Sequence, residues 1–245
     1  MGLLDNAVKA TRSAAAIGSL STGFAAGAAI AVANRSRRDG ANVAVGLSSQ
    51  LALASAGIHL NIQGEENAFS HRPAVFLFNH QSELDVFIVA GVLRKDFAAV
   101  AKKSLQTNPV FGPIATLAGV TFIDRANSEQ ARAALEPVVD SLRDGVSVAL
   151  APEGTRSSDL GPFKKGAFHM AIQGGVPVVP IVIRNAAELM PPRSYLINSG
   201  TVDIVVLPPV DTSDWVPENV DEYRDEVWQM YRDTLDDWPE PDDAI

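Results

Sequence analysis

A change of rhythm near residue 61 limits this chain to few folds. From there on, short runs of aliphatic, β-branched and aromatic residues alternate with longer stretches of helical composition. Residues 74–78, 97–101, 120–123, 147–150, 178–183 and 202–207 read as strands. Residues 83–93, 108–117, 128–142, 165–173 and 217–236 read as helices. Strands that alternate with helices in this way predict an α/β domain. Its central sheet is mostly parallel and flanked by helices. In such sheets the chemistry collects where the strands end.

The first sixty residues have a different texture. Residues 14–33 carry no charge and are built mainly of Ala, Gly and Ser, with Ile17, Leu20 and Phe24 at helical spacing. A cationic turn follows, Asn34-Arg35-Ser36-Arg37-Arg38-Asp39-Gly40, and then a second uncharged stretch, 41–58. The pattern predicts a two-helix hairpin over residues 1–60, a catalytic domain over 61–237 and an acidic tail over 238–245. The first helix has about the length that spans a bilayer. Ala31-Val32-Ala33 resembles a signal cleavage site, but the arginines just after it oppose translocation. The favoured reading is an interfacial hairpin whose arginines meet anionic lipid on the cytoplasmic face of the membrane. The alternative is a hairpin packed on the main domain. Gly23 and Gly27, four residues apart, would let the two helices approach closely.

At the exit of the first strand lies Asn79-His80-Gln81-Ser82-Glu83-Leu84-Asp85. A carboxylate bonded to one imidazole nitrogen leaves the other free to take a proton, and it stabilises the cation that forms. A lone pair of this kind is more often structural. Here, however, other strand ends add polar clusters: Lys102-Lys103, Asp124-Arg125 and Pro152-Glu153-Gly154-Thr155-Arg156-Ser157. Cations from several strand ends can converge on a phosphate.

Composition narrows the options. The chain has no cysteine, which excludes disulfides, thiolate metal sites and a cysteine nucleophile. Its net charge is −9, and the acidic residues crowd into the last thirty-five positions. An acidic chain without a basic stripe is no nucleic-acid binder. A serine esterase would need Gly-x-Ser-x-Gly, which is missing.

Taken in order, these clusters resemble the 1-acylglycerol-3-phosphate acyltransferases, within the glycerolipid acyltransferases. The family's Asn-His-x-Ser-x-x-Asp is met by Asn79, His80, Ser82 and Asp85. Its Phe-Ile-Asp-Arg is met by residues 122–125, its Pro-Glu-Gly-Thr-Arg-Ser by 152–157, and its apolar run with two prolines by Val176-Pro177-Val178-Val179-Pro180. The resemblance covers about residues 60–210. It implies the glycerol-3-phosphate acyltransferase-like fold. It also implies transfer of an acyl group from acyl-coenzyme A or acyl carrier protein to the sn-2 hydroxyl of a lysophosphatidic acid, with no metal and no cofactor.

On that resemblance His80 is the general base and Asp85 orients it. Arg125 and Arg156 hold the acceptor phosphate, with Lys103 as a third cation. Glu153 holds an arginine or meets the glycerol. Gly154 and Thr155 supply backbone or hydroxyl donors. Phe111, Phe122 and Phe168 are candidates for an acyl groove, although core packing suits each of them better. Glycerol 3-phosphate or another lysolipid as acceptor, and a silent lipid-binding scaffold, are the competing readings.

Overall fold

The computed structural model describes residues 3–107, 112, 116, 120–123, 128–192 and 194–240. Two helices come first: α1 (Leu3–Ala33) and α2 (Arg37–Ala56). The Ser36 hydroxyl caps α2 by accepting from Asp39 N–H at 3.1 Å. Gly57, at φ 68°, ends α2 in the left-handed region and accounts for the sharp stop. Along α1 the buried positions are Ser13, Ala16, Leu20, Gly23 and Gly27, which form one narrow seam. A Cβ on Gly27 would lie 2.5 Å from Gly40 O and 2.6 Å from Ala44 Cβ. The pair packs this closely because side chains are missing where the helices cross.

The rest of the chain alternates as expected: β1 (Ile58–Gln63), α3 (Asn67–Ser70), β2 (Val75–Phe78), α4 (Asp85–Leu93), β3 (Phe97–Lys102) and β4 (Thr121–Ile123). Then follow α5 (Ser128–Arg143), β5 (Ser147–Leu150), α6 (Gly166–Gly174), β6 (Val178–Ile183), α7 (Ala186–Leu189), β7 (Gly200–Val206) and α8 (Val220–Asp236). The seven strands lie in the order β1-β7-β6-β2-β5-β3-β4. Every pairing is parallel except β6 with β7. β2, β5 and β6 are buried along their whole length. That is the signature of central strands covered on both faces.

Side chains of β2 alternate between two cores. Phe76 and Phe78 face the hairpin and α4, with Leu20, Leu53, Ile88 and Val92. Val75 and Leu77 face α5, α6 and α8, with Leu142, Phe168, Val227 and Tyr231. The architecture is therefore three layers, and the amino-terminal hairpin belongs to one outer layer. Proline suits a central strand poorly because it cannot donate to the ladder. Pro180 is tolerated in β6 beside a bridge from α8. The buried Tyr231 hydroxyl donates to Leu77 O at 2.6 Å and accepts from Ile181 N–H at 3.2 Å.

Two short elements and one strand depart from expectation. β1 starts at Ile58, inside the stretch read as the second helix, and pairs in register with β7. Its alternating Ile-His-Leu-Asn-Ile-Gln was the available sign. The four-residue helices α3 and α7 are too short to show a helical period. The helix expected over 108–117 lies outside the described residues apart from Gly112 and Thr116, both helical. Trp238 and Pro239, read as tail, are tied down: Arg184 stacks on the Trp238 ring, and Gln63 Nε2 donates to Pro239 O at 3.0 Å.

Candidate active site

β2 ends beside β5 and β6, and the loop that leaves it is held by hydrogen bonds at almost every residue. Asn79 continues the sheet with its side chain. Its amide donates to Ile183 O at 2.7 Å and accepts from Ile183 N–H at 2.7 Å. The Ser82 hydroxyl donates to Met190 O at 2.7 Å and accepts from Leu84 N–H at 3.2 Å. Ser82 is fully buried and committed to these bonds, so it is a structural pin and no nucleophile.

Asp85 opens α4 and is fully buried. Its Oδ2 accepts from Gln81 N–H at 2.7 Å and Ser82 N–H at 2.8 Å, and it lies 2.8 Å from His80 Nδ1. With Nδ1 held against this acceptor oxygen, Nε2 is the ring nitrogen left to take a proton. The imidazole is one-fifth exposed, stands edge-on to Phe78, and lines a groove. The backbone of His80 is held as firmly as its ring. Its N–H donates to Glu153 Oε1 at 2.8 Å, and its C=O accepts from Ser157 N–H at 2.9 Å.

The groove encloses about 190 Å³ between the hairpin and the sheet. Leu20, Phe24 and Val45 come from the hairpin, and Phe78, Phe87 and Phe97 from the domain. Its polar end carries His80, Glu83 and Arg156. An apolar trough that ends at a base and a cation suits an amphiphile with an anionic head.

The site residues read from sequence separate here. His80 and Asp85 meet as expected, and Arg156 joins them from the loop after β5. Arg156 is not bare: its Nη1 lies 2.6 Å from Glu83 Oε1. Among the described residues Glu153 pairs with no arginine, and it does not line this groove. Its second oxygen accepts from Gly161 N–H at 2.8 Å, so both oxygens clamp backbone. Burial pushes this carboxyl above its ordinary value, against the two N–H donors that lower it. Gly154 N–H closes a turn onto Ala151 O at 3.2 Å, so this donor serves the loop. Thr155 is exposed. Lys103 is exposed in the turn after β3, two residues from Leu105 of the groove. Arg125 and Phe111 lie outside the described residues. Phe122 does not line the groove, and Phe168 packs on Trp215 in the opposite core.

Sequence reasoning missed Glu83, which fills an unassigned position of the first motif. It also missed the groove's phenylalanines, which nothing in the local pattern distinguishes from core.

Residues 59–184 match the family model described as Acyltransferase. A 1-acyl-sn-glycerol-3-phosphate acyltransferase of Saccharomyces cerevisiae is 34% identical over 184 residues, which are 73% of this chain and 60% of that protein. The chain thus spans somewhat under two thirds of that relative. The Salmonella typhimurium protein of the same name is 34% identical over 169 residues, 68% of each chain. The human alpha form is 36% identical over 174 residues, 70% of this chain and 62% of that one. Among solved structures, the 1-acyl-sn-glycerophosphate (LPA) acyltransferase PlsC of Thermotoga maritima superposes with a TM-score of 0.68. It covers 91% of this chain and 97% of its own at 24% identity, so it shares the fold. With the motifs in order, the fold in common and the family model spanning the dyad, this chain belongs to the acyltransferase family.

Proposed function

We propose that this chain moves an acyl group from an acyl thioester to the sn-2 hydroxyl of 1-acyl-glycerol 3-phosphate, giving phosphatidic acid. The observation that carries this reading is the His80–Asp85 dyad at the polar end of an apolar groove, with Arg156 beside it. His80 Nε2 takes the proton of the acceptor hydroxyl as its oxygen attacks the thioester carbonyl. The C–S bond breaks, and the imidazolium returns its proton to the departing thiolate. Asp85 holds the imidazole in the basic tautomer and stabilises the cation. The lipid hydroxyl is the nucleophile, so no acyl-enzyme forms.

Arg156, with Arg125, binds the acceptor phosphate. A guanidinium forks onto two phosphate oxygens, and lysine cannot reproduce that geometry. The hairpin is the membrane element. α1 exposes Leu4, Val8, Ile17 and Val32, and it is long and apolar enough to cross a membrane. Of the turn arginines, Arg38 is engaged by the domain, with Nε 2.7 Å from Asp96 Oδ1 and Nη2 donating to Gly145 O at 3.0 Å. Arg35 and Arg37 are the exposed pair that meets anionic lipid.

The chain has no thiol, so thiol release reports the coenzyme directly. The test varies each substrate in turn with Arg156→Ala and Arg156→Lys. Both variants should raise the Michaelis constant for lysophosphatidate about ten- to a hundredfold, the loss of one charge-assisted contact of about 1.5–3 kcal/mol. The constant for the acyl donor should barely change. A defect confined to the donor would move Arg156 to the coenzyme's phosphates.

A further inference from the structure

Two carboxyl oxygens of the site, Glu83 Oε2 and Asp85 Oδ1, are buried with no hydrogen-bond partner, and of the two side chains it is Glu83 that lines the groove. Asp85 Oδ2 and both oxygens of Glu153 are occupied by N–H donors. Glu83 has Oε1 on Arg156, while its Oε2 is buried with no hydrogen-bond partner. The side chain is 12% exposed and lines the groove beside His80. It also borders a smaller apolar cavity formed by α1, α2, α4 and the segment around Tyr195. A buried carboxyl oxygen left without a partner, on a side chain that lines a ligand groove, is costly until a donor arrives.

The nature of that donor follows from the neighbour. Glu83 and Arg156 together are neutral. A phosphate dianion drawn onto Arg156 would sit beside a carboxylate and bring no proton to share. A phosphomonoester monoanion brings both partners: anionic oxygens for the guanidinium and one P–OH for Glu83 Oε2. A phosphodiester head group also carries one negative charge, but it has no P–OH.

We propose that Glu83 is a specificity residue which reads the proton on the acceptor's phosphate, selecting the monoanion of a phosphomonoester over dianions and phosphodiesters. The proposal rests on the assignment of Arg156 to the acceptor phosphate. The ionisable groups that line the two cavities with Glu83 are His80 from its own loop, Arg156 from the loop after β5, and Tyr195 from the segment before β7. His80 is present in wild type and variant alike, so the effect of Glu83 appears as the difference between them.

A phosphomonoester loses its second proton near pH 6, so at about pH 7.5 the free acceptor is mostly dianion. Binding it as a monoanion must then take up a proton. The experiment is calorimetric titration of the full chain with short-chain lysophosphatidate at about that pH, in two buffers of different ionisation enthalpy. Wild type should take up close to one proton more per ligand than Glu83→Gln or Glu83→Ala. The methyl ester of the same lysophosphatidate, a diester, should bind wild type at least tenfold more weakly, and the Glu83 variants should lose that discrimination. Circular dichroism checks that each variant is folded. Equal proton uptake in wild type and both Glu83 variants would overturn the proposal and leave the Arg156 assignment standing. Undiminished binding by Arg156→Ala would remove the assignment beneath it.

Discussion

The hairpin and the loop after β2 are both tightly packed, by opposite means. The hairpin is held by what its residues lack: Gly23, Gly27 and Gly40 have no side chain where the two helices touch. The loop is held by polar atoms spent on named partners, those of its own Asn79 and Ser82, of Asp85 at the start of α4 and of Glu153 from the loop after β5. The hairpin's fit is one of shape, which methyl groups can spoil but charge hardly affects. The loop's fit is one of hydrogen bonds, in which a near-isosteric change at one atom removes function while the volume stays filled. The groove runs between them, so it has a mouldable apolar wall and a fixed polar end.

The largest effect should come from the fixed end. His80→Ala should lower turnover about 10²–10⁴-fold, the usual worth of a positioned base, with circular dichroism and melting unchanged. The ring is partly exposed, and the backbone clamps on His80 do not need it. Asp85→Ala should lower turnover and melting temperature together, because it strips three donors of their shared acceptor. A fully active, folded His80→Ala enzyme would end the dyad mechanism.

On the hairpin side, Gly27→Leu should cost about 1–3 kcal/mol, the usual penalty of overpacking, because its first carbon already meets Gly40 and Ala44. Gly18→Ala is the counterpart. Nothing lies within 4 Å of its Cβ, so it should stabilise α1 by up to about 1 kcal/mol through helix propensity. Thermal melts of the two variants that shift in the same direction would contradict a shape-held seam.

Glu153 adds a pH signature to the polar end. Burial raises its carboxyl above the ordinary value, so the folded chain holds that proton more tightly than the unfolded chain does. The stabilising contribution is therefore complete below the ordinary carboxylate value, and it is lost as pH rises through the raised folded value. The stability of wild type minus that of Glu153→Gln should fall across this window. A difference that rises with pH there would mean that the two N–H donors outweigh burial.

The same contrast decides what the sequence made legible. Motif residues are legible because few residue types can do their work: only a carboxylate collects donors as Asp85 does, and only an imidazole offers a base near neutral pH. The glycine spacing in α1 is legible for a similar reason, since missing side chains imply close approach. The sheet was legible from its apolar runs, whereas β1 was concealed by an uncharged stretch that continued into it. What stayed hidden was partnership. Nothing in Pro-Glu-Gly-Thr-Arg-Ser tells which carboxylate meets which cation. The structure gives Glu153 to the backbone and leaves Arg156 to Glu83, seventy-three residues away in sequence. The groove's phenylalanines look like core residues until the hairpin folds over them.

A moderate effect should appear at the membrane, where it tests whether the outer face of the hairpin is a surface for lipid. Removing residues 1–60 is a poor probe, because Leu20, Ala52, Leu53 and Ala56 belong to the core beside β2. Arg35 and Arg37 are better targets: both are exposed, and neither takes part in the contacts that tie Arg38 to Asp96 and Gly145. Each cation near an anionic bilayer contributes about 1 kcal/mol, so Arg35→Ala with Arg37→Ala should weaken binding to phosphatidylserine vesicles by about thirtyfold. Raising salt should shrink the gap between variant and wild type, since these charges act through screened solvent. Arg38→Ala should act differently, loosening the hairpin from the domain and lowering the melting temperature. Co-sedimentation of the double variant that equals wild type at low salt would leave the apolar face of α1 as the attachment and remove the arginines from it.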